Sequence, residues 1–399
     1  MNQPDWLIAL SVLFTFASLV SAATPSTTGA SVRAPLSPPS ESLIAAALTS
    51  NGNADRLHRV FQKAKRGEPI VLGVFGGSIT AGAKASTPAH RYANLVRDWL
   101  ANQFPNTTVT LVNAGIGATG SPYGCLRAER DLLVHHPDIV IVDFGVNDGT
   151  EPWMADTYEG VLRQILRQDN SPAILQIFFM HQNGANAQTL QQALGEHYGL
   201  PMVSYRDALW PQIAAGHFAW DDVSPDDVHP NDWGHAFAAT CLERELETAL
   251  RSTAAVDVSA PNVPPPLFTD TFAHTLLIDR DDLKSAATDG WIYDHAAQCL
   301  TSHTPGSAIT FEVSGTAIFT QFFRLRGGFG RAQLQVDAGT PIVLDGWFSG
   351  TWGGYIDTNV ARDLKPGKHT IRIELLDQKD GLSTGHEFHI IGIGAAGVP

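Results

Sequence analysis

Cysteine is nearly absent. The 399-residue chain has three, Cys125, Cys241 and Cys299, and none stands in a C-x-x-C or other metal-ligand spacing. That excludes a disulfide framework and a cysteine-built metal centre and leaves room for one disulfide at most. Cys125 and Cys241 lie in helix-like patterns, where free thiols packed as small apolar groups are the simpler expectation. Basic residues are also scarce: 26 Lys plus Arg face 40 Asp plus Glu, for a formal net charge of −14. Such a balance opposes phosphate backbones and anionic membrane surfaces, and no basic patch overrides it, so nucleic acid is not an expected partner. There is no internal repeat. At 44% hydrophobic and 17% charged residues, the composition is that of a folded chain with a sizeable core and room for two domains.

The first 22 residues contain an uncharged apolar run, residues 6–20, followed by Val20-Ser21-Ala22, a small-residue spacing that a signal peptidase accepts. The run is short for a spanning helix, so residues 1–22 read as a signal peptide, with a secreted or periplasmic product and no stable membrane insertion after cleavage. No Lys or Arg precedes the run, which keeps an uncleaved anchor as the alternative. Residues 23–50, rich in Ser, Thr and Pro at their start, read as a flexible spacer.

From residue 51 to 252 apolar runs at 70–75, 109–112, 139–144, 174–180 and 202–203 alternate with helix-length segments at 91–103, 124–135, 157–168 and 187–198, and a last helix spans 234–250. Continuous rather than alternating apolar strands mean a parallel sheet covered on both faces. The predicted fold is therefore a doubly wound, flavodoxin-like α/β domain whose ligands bind beyond the carboxyl ends of the strands. Residues 253–267 are a Pro-rich linker. From 268 to 399 apolar and polar residues alternate between Gly, Pro and Asp turns, the pattern of an antiparallel, jelly-roll-like β-sandwich.

Four loops at predicted strand ends carry chemistry. Ser78, in "GGSIT" after the first long strand, sits where a nucleophile is exposed at a sheet edge, although it lacks the second glycine of a G-x-S-x-G elbow and alone would read as a turn. In "SPDDVHPNDWGH", Asp226 and His229 lie three apart before a helix, so one loop can hold a carboxylate against an imidazole; helix capping by these aspartates is the plainer alternative. Asn147 in "FGVNDG" offers a side-chain amide to a developing oxyanion, or an Asx turn. In "NAGIGATGS", Gly117 or Ala118 offers a main-chain N–H at the same rim.

These four motifs, in this order, resemble those of the SGNH hydrolases, the GDSL-like esterase and lipase superfamily. Ser78 matches the family serine, with Gly77 where Asp is commoner. Asn147 in "GVND" matches the family asparagine, and Asp226 to His229 the family Asp-x-x-His. Counted from Asn113, the family glycine falls on Ala118, with Gly117 beside it. The resemblance spans about residues 55–250 and implies a serine esterase without metal or organic cofactor. In it Ser78 attacks an ester, His229 shuttles the proton, Asp226 orients His229, and Asn147, the Ser78 amide and the amide at Gly117 or Ala118 form the oxyanion hole. Acyl transfer to a sugar hydroxyl is within reach of the same site.

The β-rich tail looks like modules that accompany secreted carbohydrate esterases, and Trp347, Trp352 and Tyr355 are its candidates for stacking on sugars, with core packing as their alternative. An O-acetyl ester on a carbohydrate is the expected substrate, with Trp153, His181 and Gln182 as candidate substrate-wall residues. Two other readings remain: a lipase, lysophospholipase or thioesterase on the same residues, and a carbohydrate-binding surface protein with an inactive hydrolase fold.

Overall fold

A computed structural model describes residues 37–252 and 262–398. The signal-peptide segment, the first half of the spacer and the first part of the linker lie outside the described residues. Five apolar strands form a parallel sheet: β2 (Ile70–Gly76), β3 (Val109–Gly115), β4 (Ile139–Asp143), β5 (Ala173–Phe178) and β6 (Met202–Ser204). Their spatial order is β6-β5-β4-β2-β3, so the chain reverses direction across the sheet beside β2, and the carboxyl ends of β2, β3 and β4 lie next to one another. Every residue of β4 and β5 is buried, which explains why these strands read as unbroken apolar runs. Helices α2 (Asp55–Lys65), α4 (Tyr92–Gln103), α5 (Ser121–Asp131), α6 (Pro152–Leu166), α7 (Gln188–His197), α8 (Tyr205–Ala214) and α10 (Asp232–Arg251) cover the faces, and the single-turn helices α3 (Ser78–Ala81) and α9 (Trp220–Val223) fill loops near the site.

The spacer expectation is corrected at its end. Helix α1 (Glu41–Ala47) is capped by the Ser40 hydroxyl, which accepts from the Leu43 N–H, and it buries Leu43, Ile44 and Ala47. Strand β1 (Leu48–Ser50) then pairs antiparallel with β6 and adds a sixth strand to the sheet. The Ser/Pro composition upstream concealed a short apolar helix, "ESLIAAA", whose burial against α8 and α10 gives it the tertiary support that a seven-residue helix lacks alone. The described end of the linker is likewise strapped down. The Pro264 carbonyl accepts from Arg163, and the N–H groups of Leu267, Phe268 and Thr269 all donate to the buried Glu159 carboxylate.

The carboxyl-terminal lobe packs a four-stranded antiparallel sheet against a six-stranded one, with Thr275–Asp279 also pairing Phe388–Ala396. Trp291, Phe311, Phe388 and Ile371 are among the side chains buried between the sheets. Phe272, Ala317, Phe319 and Ala396 of this lobe share a core with Leu126, Tyr158 and Val161 of the parallel-sheet lobe, and Gly160 lies so close to Phe272 that a β-carbon there would meet its backbone at 2.5 Å. From Pro38 onward the chain is accordingly one compact unit. All three cysteines are free and buried, and burial pushes the Cys241 and Cys299 thiols up to about 12. Among the described residues no helix is long and apolar enough to cross a membrane.

Candidate active site

The β2 strand ends at Gly76, and after Gly77 the chain turns at once into α3 with Ser78 as its first residue. The turn is tight because two neighbours press on it. A β-carbon at Gly76 would lie 2.1 Å from the Asp143 carbonyl, and one at Gly77 would lie 2.0 Å from the Asn147 side-chain oxygen. Both positions therefore need glycine for space, and the near-contact at Gly77 places the Asn147 carboxamide directly beside the serine turn. Asn147 itself leaves β4 in a helical turn, its N–H donating to the Phe144 carbonyl at 3.0 Å.

His229 Nε2 lies 2.8 Å from Ser78 Oγ, and its Nδ1 lies 2.9 Å from Asp226 Oδ2. A carboxylate only accepts, so Nδ1 carries the proton and Nε2 is left as the acceptor for the serine hydroxyl. Asp226 Oδ1 also accepts from the His229 and Val228 N–H groups, which closes the three-residue loop on itself. Burial works to raise the Asp226 pKa, yet those N–H groups and the imidazole together hold it below the usual carboxylate range. The loop is braced from within: the buried Ser224 hydroxyl lies 2.7 Å from the Asp226 carbonyl and 2.6 Å from the His229 carbonyl. Capping of α10 falls to Asn231, whose side chain accepts from the Gly234 N–H, and this leaves Asp226 for the imidazole.

The glycine-rich loop after β3 packs on the other side of Ser78. Asn113 donates to the Thr80 carbonyl and accepts from the Gly115 N–H. A β-carbon on Gly117 would come to 3.9 Å from that of Ser78, so this loop faces the nucleophile. Ala118 adopts φ 55°, a left-handed conformation that favours glycine, so glycine is the residue its backbone would prefer. Gly117 is thus beside Ser78, with Ala118 next to it in sequence.

The candidate substrate residues separate. His181 and Gln182 stand beside the Asp226–His229 loop: the Gln182 N–H donates to the Asp227 carbonyl at 2.8 Å, and His181 Nε2 donates to the Val146 carbonyl at 3.0 Å, next to Asn147. Trp153 is placed otherwise, under the Arg362 guanidinium of the carboxyl-terminal lobe, 4.9 Å from ring centre to cation. Its position ties the lobes together, and the sequence offered no sign of that partner.

Three further residues went unnoticed in the sequence. Arg127, wholly buried, donates to the Gly76 and Ala114 carbonyls and so clamps the ends of β2 and β3. Asp143 accepts from Thr80 Oγ1 at 2.9 Å, behind the serine turn, and Asp148 accepts from the Ser121 N–H and the Gln191 amide, fixing the segment that bears Asn147. Burial, opposed by those donors, pushes both carboxyls up to about 7. The one available signal for Asp148 was its place beside Asn147 in "GVND"; single buried polar residues inside apolar runs leave no periodic signature. Among the described residues, no group of three or more His, Cys, Asp or Glu is arranged to hold a metal ion.

A hydroxyl, an imidazole, a carboxylate and loops carrying amide donors, assembled at the carboxyl rim of a parallel sheet, define the class: carboxylic ester hydrolases. The model of the GDSL-like lipase/acylhydrolase family matches residues 74–237. Over 89% of this chain and 99% of the other, the structure is similar to a two-domain esterase described as active on acetylated mannans, with 30% identity and a TM-score of 0.83. The same esterase crystallised with mannopentaose gives a TM-score of 0.82. Thioesterase 1/protease 1/lysophospholipase L1 of Escherichia coli strain K12 is 27% identical over 189 residues, which cover 44% of this chain and 82% of that protein. The chain belongs to the GDSL-like lipase/acylhydrolase family.

Proposed function

We propose that this protein is a secreted serine esterase that removes O-acetyl groups from a polysaccharide. The observation that carries the reading is the continuous hydrogen-bonded line from Ser78 Oγ through His229 to Asp226, at 2.8 and 2.9 Å. Ser78 Oγ attacks the ester carbonyl while His229 Nε2 takes its proton. The oxyanion is met by the Asn147 amide, the Ser78 N–H and an N–H of the Gly117–Ala118 loop. His229 then gives the proton to the departing sugar hydroxyl, and water attacks the acyl-serine in a second round of the same chemistry.

Three things support the carbohydrate acetyl ester. The similar two-domain esterase acts on acetylated mannans and matches both lobes of this chain. In the carboxyl-terminal lobe Trp352 is 64% exposed and stacks on Tyr355, with Phe348 edge-on to both. Exposed stacked aromatics suit sugar faces better than a core does. The Trp347 carbonyl accepts from Arg324, whose guanidinium also donates to the Tyr355 hydroxyl. Export rests on the apolar run near the amino terminus.

The Escherichia coli relative favours a second reading, a thioesterase or lysophospholipase on the same residues. A chromogenic ester series from acetyl to long-chain, with acetate release from acetylated polysaccharides beside it, separates the two. The expected outcome is acetyl preference and saccharide deacetylation, both lost in Ser78→Ala. Faster turnover of long-chain esters moves the assignment to the second reading, and equal negligible rates in both proteins favour a binding role.

A further inference from the structure

Beside the Asp226–His229 loop lies an open pocket of about 360 Å³ lined by His181, Gln182, Asn183 and Asp227. We infer that this pocket is a subsite for a neutral sugar ring next to the acylated one, read through its hydroxyl groups; the inference rests on the carbohydrate-ester reading above.

Three features of the pocket carry the argument. The first is its attachment to the reacting groups. Asp227 follows Asp226 directly, and its carbonyl accepts from the Gln182 N–H at 2.8 Å, so a ligand held here is indexed to the His229 loop. The second is rigidity. The His181 N–H donates to the Ala185 carbonyl, the Gly184 N–H returns to the His181 carbonyl, and Asn183 Oδ1 accepts from the Ala185 N–H. The turn that presents the pocket is therefore closed before any ligand arrives, which lowers the ordering cost of binding.

The third is the chemistry of the lining. No apolar side chain is among the four residues, which argues against an acyl chain. With Oδ1 committed to the backbone, Asn183 presents its NH₂ as donor. With Nε2–H on the Val146 carbonyl, His181 is left with Nδ1 as acceptor. The Gln182 amide supplies both kinds of group, and the Asp227 carboxylate accepts. A sugar hydroxyl donates once and accepts, so vicinal hydroxyls need donors and acceptors interleaved, as they are here. The same carboxylate repels a uronate, which points to a neutral glycan.

The test compares wild type, Asp227→Asn and Asn183→Ala by the ratio of kcat/KM on an acetylated neutral oligosaccharide to that on p-nitrophenyl acetate, with an acetylated polyuronide as a third substrate. The expected result is a fall in the ratio of about tenfold or more for Asp227→Asn, the usual worth of a hydrogen bond to a charged group, and a smaller fall for Asn183→Ala. Both side chains are exposed, so the overall fold is not at stake. Asn183→Ala also frees the Ala185 N–H and so reads turn and donor together, which makes Asp227→Asn the deciding variant. Binding of the oligosaccharide to Ser78→Ala with and without Asp227→Asn checks that the loss is in affinity. Unchanged ratios in both variants overturn the subsite while leaving the esterase reading intact. Preference of the wild type for the polyuronide overturns the neutral-glycan assignment. No saccharide deacetylation at all by the wild type overturns the carbohydrate reading and the subsite with it.

Discussion

At the scale of the residue, the site depends on how few atoms lie between Gly77 and Asn147. On the proposed mechanism Asn147→Ala removes an oxyanion donor while leaving the Ser78–His229 contact, so kcat is expected to fall about 10²- to 10³-fold with KM little changed, measured on an acetyl ester. Gly77→Ala puts a methyl group where the Asn147 oxygen stands, at 2.0 Å, so it displaces the same amide without deleting it. A comparable loss of kcat is expected, and combining the two substitutions should cost little more than either alone, because both act on one donor. An additive loss would show that Gly77 serves the nucleophile turn independently of Asn147. Ser78, His229, Asp226 and Asn147 were legible in the sequence because each stands at the end of an apolar run or in a short loop with a fixed spacing. The contact of Trp153 with Arg362 was not legible, because Arg362 is more than two hundred residues away in sequence and on the other lobe.

At the scale of the element, the sheet edge is held by buried polar contacts rather than by the loops alone. Arg127, on α5, joins the ends of β2 and β3 through their carbonyls and lies over the Phe75 ring at 4.4 Å. Arg127→Met leaves the Gly76 and Ala114 carbonyls without these donors, and a loss of about 2–4 kcal/mol in unfolding free energy is expected, measured by denaturant titration. The parallel strands themselves were readable, since a strand covered on both faces is a continuous apolar run. The antiparallel edge strand β1 and helix α1 were not, because a three-residue strand and a seven-residue helix carry too little periodicity and exist only by docking.

At the scale of the whole molecule, the two lobes share a core, and this sets what each can do alone. Without the carboxyl-terminal lobe, Phe272 and Phe319 no longer cover α5 and α6, and Glu159 loses the three N–H groups it holds. Residues 37–252 expressed alone are therefore expected to be poorly soluble or to melt well below the full chain, as measured by thermal unfolding; a melting temperature equal to that of the whole would contradict a shared core. Stability should also depend on pH in a defined direction. Burial pushes Asp143, Asp148, Glu243 and Glu245 each up to about 7, against about 4 when unfolded. Between those values the folded chain holds more protons, so the contribution of these groups is fully present below about pH 4 and is lost as pH rises through about 7. Buried His235, its pKa lowered by burial, runs the other way, but it is one group against four. The melting temperature is expected to fall from pH 5 to pH 8, and Asp143→Asn to make that fall shallower.

Taken by itself, the sequence determined the alternation of strand and helix, the change to a β-sandwich after the linker, and the four motifs around Ser78, Asn147, Asp226 and His229 that mark the family. All of these are written locally, in apolar period and in motif spacing, which depend on residues a few positions apart. Only the tertiary structure decided which of the candidate wall residues reach the reacting loop, that Ala118 sits in a backbone conformation suited to glycine, that Arg127, Asp143 and Asp148 lock the rim, and that the lobes are one body. These are contacts between residues tens to hundreds of positions apart. Their energies come from desolvation and packing at points of meeting, and a point of meeting has no address in a linear pattern until the chain has folded.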